Sequence, residues 1–395
     1  MNEIDLVKIK EISLNFSRGI EGLGKRAFLE RINVIREPRI KILRGFRGVG
    51  KTTALLQLLG SAQQQRGIYL SMDHPYIENF GLYEIGKELV KNGYSVIMAD
   101  EAHHYSKWER DAKALYDEFP NTSIVISGSA PLAFKEERRY EIIEVEPMSL
   151  REFVSLQGKN IESTESWKNL DNTLEFLASN NWIYEYFEQY TNGGAFPIYY
   201  TYKDKTLGAI YNSIRKSIRE DALFFSHIDG EMIRGMERAI ALLATASLGE
   251  FSINSMSKHL ELTKYRAYEI IRLLNTMKIL RIVLPYGKGP KLVRGEPKVM
   301  FYHPNLRSAV CDALGFKTDT GAVREELAVF SLIQRHWKVS TIKGLKKSPD
   351  YLIQKENQKI IVEIGGPSKN KIQLKGFDEE VLVITERQLI PLTIF

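Results

Sequence analysis

The sequence predicts an α/β fold: a doubly wound parallel sheet, followed by a helical lid, a winged helix and a small C-terminal α/β domain. Three observations predict it. A glycine-rich turn at residues 45–52 separates a short apolar run from a helix-forming one. Four more short apolar runs follow, with helical stretches between them. From Glu231 the apolar spacing changes to that of three short helices and two strands.

Ile40, Ile42 and Leu43 read as a buried strand entering the turn, and Thr53-Ala54-Leu55-Leu56-Gln57-Leu58-Leu59 as the helix leaving it. Between them Gly45-Phe46-Arg47-Gly48-Val49-Gly50-Lys51-Thr52 is a complete G-x-x-x-x-G-K-T phosphate loop (P-loop). Its glycines let successive backbone N–H groups turn toward phosphates with no Cβ in the way, and the helix N-terminus adds its positive end. The pattern predicts a bound nucleoside triphosphate held by Gly45, Arg47, Gly48, Val49, Gly50, Lys51, Thr52 and Thr53. Lys51 is expected on the β- and γ-phosphates, and the Thr52 hydroxyl on Mg²⁺.

The later runs are Ile68-Tyr69-Leu70, Val96-Ile97-Met98-Ala99, Ile124-Val125-Ile126, and Ile142-Ile143 with Val145, spaced for a parallel sheet wound with helices. The third strand ends in Asp100-Glu101, about 50 residues after Lys51. Asp100 is expected to help hold Mg²⁺, and Glu101 to orient the attacking water. The fourth ends in Ser127-Gly128-Ser129, on a strand expected between those carrying the loop and Asp100; Ser127 or Ser129 is expected to sense the γ-phosphate. Arg138 and Arg139 precede the fifth strand, where an arginine neutralises charge on the transferred group, often from a neighbouring subunit. His103 and His104 are expected to pack at the surface.

These motifs, with Pro147-Met148-Ser149-Leu150-Arg151-Glu152-Phe153 and Gly193-Gly194-Ala195-Phe196-Pro197, resemble the prokaryotic AAA-type ATPases of the archaeal-ATPase group. That family joins its ATPase to a winged helix and a C-terminal PD-(D/E)xK nuclease-like domain. The resemblance implies ATP and Mg²⁺ as cofactors, Lys51, Thr52, Asp100 and Glu101 in the usual roles, and Arg139 as a candidate finger beside the equally placed Arg138. It extends over nearly the whole chain: residues 1–150 as the P-loop AAA-type ATPase domain, 151–228 as lid or linker, 229–303 as winged helix and 304–395 as the nuclease-like domain.

The lid is rich in aromatic residues, Trp167, Phe176, Trp182, Tyr184, Tyr186, Phe187 and Tyr190, whose mixed spacing reads as core. Beyond it, Met232 to Ala246, Ser252 to His259 and Lys264 to Lys278 read as helices, and Arg281 to Leu284 and Val299 to Tyr302 as strands. In the third helix Ala267, Ile270, Leu274 and Met277 share one face, and Tyr265, Tyr268, Arg272 and Asn275 the other. Lys288, Lys291, Arg294 and Lys298 make the wing basic. Residues 201–300 hold 17 Lys plus Arg against 10 Asp plus Glu, so the basic surplus of the chain belongs here. Duplex DNA is one expected partner, with Arg272 or Asn275 on base edges; a protein partner is the other, since the same fold serves protein contact.

In the last third Glu325, Asp350 and Glu363 resemble the acidic positions of the PD-(D/E)xK core, but Gly365 stands where its lysine belongs. Lys369 or Lys371 would have to reach back. Nuclease activity is therefore the lesser expectation, and a structural role for the three acids the greater.

At 395 residues the chain is long enough for two or three domains. Its one cysteine, Cys311, excludes an intrachain disulfide or a thiolate cluster and reads as a small buried residue. No apolar run approaches the ~18 residues of a membrane span, so a cytoplasmic protein is expected. The expected function is Mg²⁺-dependent ATP hydrolysis that repositions the winged helix. The alternative is a slow nucleotide switch for protein partners without DNA binding; a homo-oligomer is a further expected partnership.

Overall fold

The computed structural model describes residues 4–20, 22–32, 39–61, 66–129, 139–224, 228–287, 295–342, 349–365 and 379–395. The expectations for Arg138, Lys288, Lys291, Arg294, Lys369 and Lys371 lie outside the described residues. The chain forms two compact units, Met1–Glu146 with Arg219–Ile228, and Pro147–Ile218 with Asp229–Phe395. The segment 151–228 thus contributes to both.

In the first unit β1 (Ile40–Arg44), β2 (Gly67–Ser71), β3 (Val96–Asp100), β4 (Ser123–Gly128) and β5 (Tyr140–Glu144) form one sheet in the order β2-β3-β4-β1-β5. Every pairing is parallel. Parallel neighbours need crossovers, which helices Lys51–Ser61, Pro75–Lys91 and Trp108–Glu118 supply. Residues Ile97, Ala99, Ile124 and Ile126 of the inner strands are wholly buried, which is why these strands read as continuous apolar runs rather than as alternation. The architecture fits the P-loop fold, with β4 between β1 and β3. Parallel registers align Leu43 with Ser127 and Ser71 with Asp100, so the phosphate loop, Asp100 and Ser127 share the C-terminal edge, where such sheets open a crevice.

In the second unit helices Gly230–Thr245, Ile253–His259 and Lys264–Thr276 precede an antiparallel pair, β6 (Leu280–Val283) and β7 (Lys298–Phe301). Helix Lys264–Thr276 buries Ala267, Ile270, Ile271 and Leu274 and exposes Tyr265, Tyr268 and Arg272. Asn275 departs from the expected base-reading face. Its side-chain oxygen accepts the Ile282 backbone N–H at 3.0 Å, so it ties the helix to the hairpin.

A four-stranded sheet follows, β8 (Lys338–Thr341), β9 (Tyr351–Lys355), β10 (Gln358–Ile364) and β11 (Glu380–Ile384), in the order β11-β10-β9-β8. Only β10 and β11 run parallel. Trp167 lies in the core of this domain with Trp337, Tyr351, Val362 and Ile384, and its carbonyl accepts from Gln388 at 2.9 Å. The core reading of Trp167 therefore holds, although the core is that of the C-terminal domain.

A buried ion pair links helix Pro304–Leu314 to its neighbours. Arg307 donates to Glu326 at 2.8 Å and to the Leu243 and Ala244 carbonyls at 2.7 and 3.1 Å, closing the end of helix Gly230–Thr245. Those carbonyls have no partner within their own helix, and a cation there also meets the negative end of the helix dipole. Cys311 is buried beside them, its thiol pushed up by burial. Among the described residues no helix is long and apolar enough to cross a membrane.

Candidate nucleotide site

The loop between β1 and helix Lys51–Ser61 depends on glycine at specific points. Gly48 and Gly50 hold φ of +90° and +94°, the left-handed region that side chains disfavour. Gly45 serves a different need, because a Cβ there would stand 2.2 Å from the Val145 carbonyl oxygen. Arg26 braces the loop, donating to the Val49 carbonyl at 2.6 Å and the Glu146 carbonyl at 2.9 Å. Thr52 and Thr53 are half-buried in the first turn of the helix.

Lys51 is 5% exposed, and its Nζ donates to the Gly45 and Phe46 carbonyls at 2.9 and 3.0 Å. Burial pushes its ammonium down to about 8, against the upward pull of Glu101, Asp100 and Asp221. Asp100 ends β3 and is buried. One of its oxygens accepts from the Tyr69 hydroxyl at 2.8 Å; the other accepts from the Glu101 N–H at 3.0 Å and from the Ser127 hydroxyl. Ser127 thus reaches the site through Asp100, which it orients.

Glu101 has a left-handed backbone, φ +50°, that a residue with a Cβ adopts at a cost of about 1 kcal/mol. Burial, then the Asp100 charge, push its carboxyl above the ordinary range. That is the direction a general base at neutral pH requires. Its Oε2 is buried and accepts no hydrogen bond among the described residues.

His103 corrects the expectation of surface packing. It is 3% exposed, with Nε2 at 3.4 Å from Glu101 Oε2, 3.5 Å from Ser129 Oγ and 3.6 Å from Asp221 Oδ1. Asp221 also pairs with Arg47 of the loop at 2.6 Å. Its burial opposes ionisation, but hydrogen bonds from His103, Arg47 and Ser129 outweigh that and hold the carboxyl well below its usual range.

Arg139 is not brought to this group. Its guanidinium pairs with Asp117 at 3.1 and 3.3 Å. The register Ile40↔Tyr140 sets it beside the start of β1, a full strand from the loop, or roughly 15–20 Å at the usual rise. Lys298, expected on the basic wing, is instead paired with Glu325.

At the C-terminal sheet Asp350 accepts from the Ile364 N–H at 2.8 Å, Glu363 from the Asp350 N–H at 3.2 Å, and Glu325 from the Tyr351 hydroxyl at 2.5 Å. Asp350 and Glu363 thus lie together at one end of β9 and β10, and Glu325 reaches the neighbouring Tyr351 from its helix.

Arg26, His103 and Asp221 are the site residues that sequence reasoning missed. The one local hint was a charged residue, Arg47, inside the loop, which implies a carboxylate somewhere. The donor set fits Mg²⁺-ATP: glycine-turned backbone, a buried ammonium, a buried carboxylate at a strand tip and a buried carboxylate oxygen with no hydrogen-bond partner among the described residues.

Residues 37–154 match the family model described as AAA domain. Uncharacterized protein MJ1637 of Methanocaldococcus jannaschii is similar over most of the chain, 26% identical across 85% of this chain and 78% of that protein. Among solved structures, AMPPCP-bound DnaA from Aquifex aeolicus has a TM-score of 0.25 at 15% identity, covering 68% of this chain and 88% of its own. A katanin structure described for its self-assembly has a TM-score of 0.25 at 13% identity, covering 70% and 88%. The family match and the loop geometry together support ATP binding by an AAA domain.

Proposed function

We propose that this chain is a Mg²⁺-dependent ATPase of AAA type, with Lys51, Thr52, Asp100 and Glu101 as its hydrolytic residues. One observation carries the reading: the buried Oε2 of Glu101, with no hydrogen-bond partner among the described residues and the His103 ring nitrogen 3.4 Å away, follows the buried Asp100 on the sheet edge that also holds the phosphate loop and the buried Lys51. Burying a carboxylate oxygen without a hydrogen bond costs stability, so its persistence points to use. The bound Mg²⁺-nucleotide supplies the polyphosphate and a Lewis acid for the developing charge. The loop N–H groups and Lys51 bind phosphate, Thr52 and Asp100 hold the metal, and Ser127 keeps Asp100 oriented. Glu101 takes or directs the proton of the attacking water. Glu101→Gln should bind a non-hydrolysable ATP analogue within about threefold of wild type and lose turnover by about 10²–10³-fold. Undiminished turnover would remove Glu101 from this role.

Arg139, far from its own chain's loop, is assigned to a neighbouring subunit's site in a homo-oligomer. Turnover per chain should then rise with protein concentration and lose that rise in Arg139→Ala.

Helices Gly230–Thr245 to Lys264–Thr276 with β6 and β7 are assigned as a winged helix that docks duplex DNA and is coupled to the nucleotide state. The exposed Tyr265, Tyr268 and Arg272 on its third helix support this. Duplex binding should weaken steeply with salt. Binding that does not respond to salt would assign the module to a protein partner instead.

A further inference from the structure

Residues Arg219–Ile228 return to the first unit between helix Thr206–Arg219 and helix Gly230–Thr245. The segment delivers a fully buried carboxylate, Asp221, to the phosphate loop. Arg47 meets it with two nitrogens, Nη2 at 2.6 Å and Nε at 3.4 Å. His103 then stands between two carboxylates, 3.6 Å from Asp221 Oδ1 and 3.4 Å from Glu101 Oε2. Phe224, from the same segment, lies edge-on to the rings of His103 and His104 with centroids 5.0 Å away, which fixes the imidazole planes. A buried ion pair gives little net stability over well-packed apolar residues. Stability alone is therefore a weak reason for an aspartate here.

We propose that Asp221 is a positioning residue of the nucleotide site: through His103 it sets the Glu101 carboxylate, and Arg47 holds Asp221 in place for that role. The proposal rests on the reading of Glu101 as the residue that acts on water. It makes residues 219–224 a built-in part of the site, tied to the loop by the guanidinium of Arg47.

The test is Asp221→Asn, which keeps size and removes charge. Turnover should fall about 10- to 100-fold, the scale of a ~1 Å misplacement of a catalytic group, while affinity for a non-hydrolysable ATP analogue stays within about threefold. His103→Gln should cost a similar factor, and the double variant should be no slower than the slower single, as for residues acting in one chain of contacts. Asp221→Glu should recover part of the rate. In nucleotide-free protein Asp221→Asn and Arg47→Gln should each lower the melting temperature, and the double variant should lie above their summed loss, because neither leaves a partner charge unpaired there.

Unchanged turnover in Asp221→Asn, or multiplying losses in the double variant, overturns the proposal. A loss of analogue affinity parallel to the loss of rate does so too, by reducing Asp221 to a structural role. Should Asp221→Asn not fold, His103→Gln decides: normal turnover there overturns it. Absence of turnover in wild type sinks the ATPase reading and this one together, whereas normal wild-type turnover with an unaffected Asp221→Asn sinks only this one.

Discussion

Raising the pH from 7 to 9 should weaken nucleotide binding about tenfold, through Lys51 alone. Its ammonium is buried against two carbonyls of its own loop, and its pKa lies at about 8 instead of 10.5. At 1.36 kcal/mol per unit, that depression corresponds to about 3 kcal/mol against the charged form. Phosphate oxygens favour the charged form, so nucleotide binding raises this pKa and takes up a proton. The sign follows: affinity is fully present below pH 8 and is lost as pH rises above it. The ammonium fraction falls from about nine-tenths at pH 7 to about one-tenth at pH 9, which gives the tenfold change. Equilibrium titration with a fluorescent ADP at pH 7, 8 and 9 measures it, and calorimetry at pH 8 in buffers of different ionisation enthalpy counts the proton. In Lys51→Arg the guanidinium stays charged throughout, so the pH dependence should vanish even though affinity falls. A wild-type dissociation constant that stays within twofold from pH 7 to 9 would refute the reasoning.

Gly45→Ala sets a Cβ 2.2 Å from a carbonyl oxygen whose own residue is held by a 2.7 Å hydrogen bond from Val145 N–H to Arg44, so the loop must move by about 1 Å to reach ordinary contact. Analogue affinity should fall about 10²-fold, a loss on the scale of such displacements; unaltered affinity would show that the loop tolerates the shift. Glu326→Ala leaves the 1%-exposed Arg307 without its carboxylate. The expected loss is about 3–5 kcal/mol, seen as a melting temperature lower by roughly 2–4 °C per kcal/mol. Replacing both partners with Met and Leu should recover most of it, and a single variant as stable as wild type would contradict the role given to the pair.

Much of the first sheet and half of the site were legible in the chain because they are local. The apolar runs at Ile40, Ile68, Val96, Ile124 and Ile142 became β1 to β5; β1 to β4 are buried on both faces and need no distant partner to announce themselves, whereas β5 is only half-buried. The glycine-lysine-threonine turn and the acidic strand tip lie within a few residues of the elements that shape them. Helix Lys264–Thr276 was equally legible, because its 3.6-residue period is written in Ala267, Ile270 and Leu274.

Tertiary structure alone decided who answers those residues. Asp221 lies 174 residues from Arg47, Glu325 lies 27 from Lys298, and Arg139 proved to sit at the wrong edge of the sheet to reach its own loop. Asn275, on the exposed stripe by period, spends its side chain on the backbone of Ile282. Periodicity and turn chemistry act over a turn or a strand. The choice of partner for a buried charge is made only when a long loop closes and desolvation forces a pairing. The sequence by itself therefore determined that a phosphate loop and an acidic strand tip would share one sheet edge. Only the folded chain decided that His103 would be buried between Glu101 and an aspartate from the far side of the sequence.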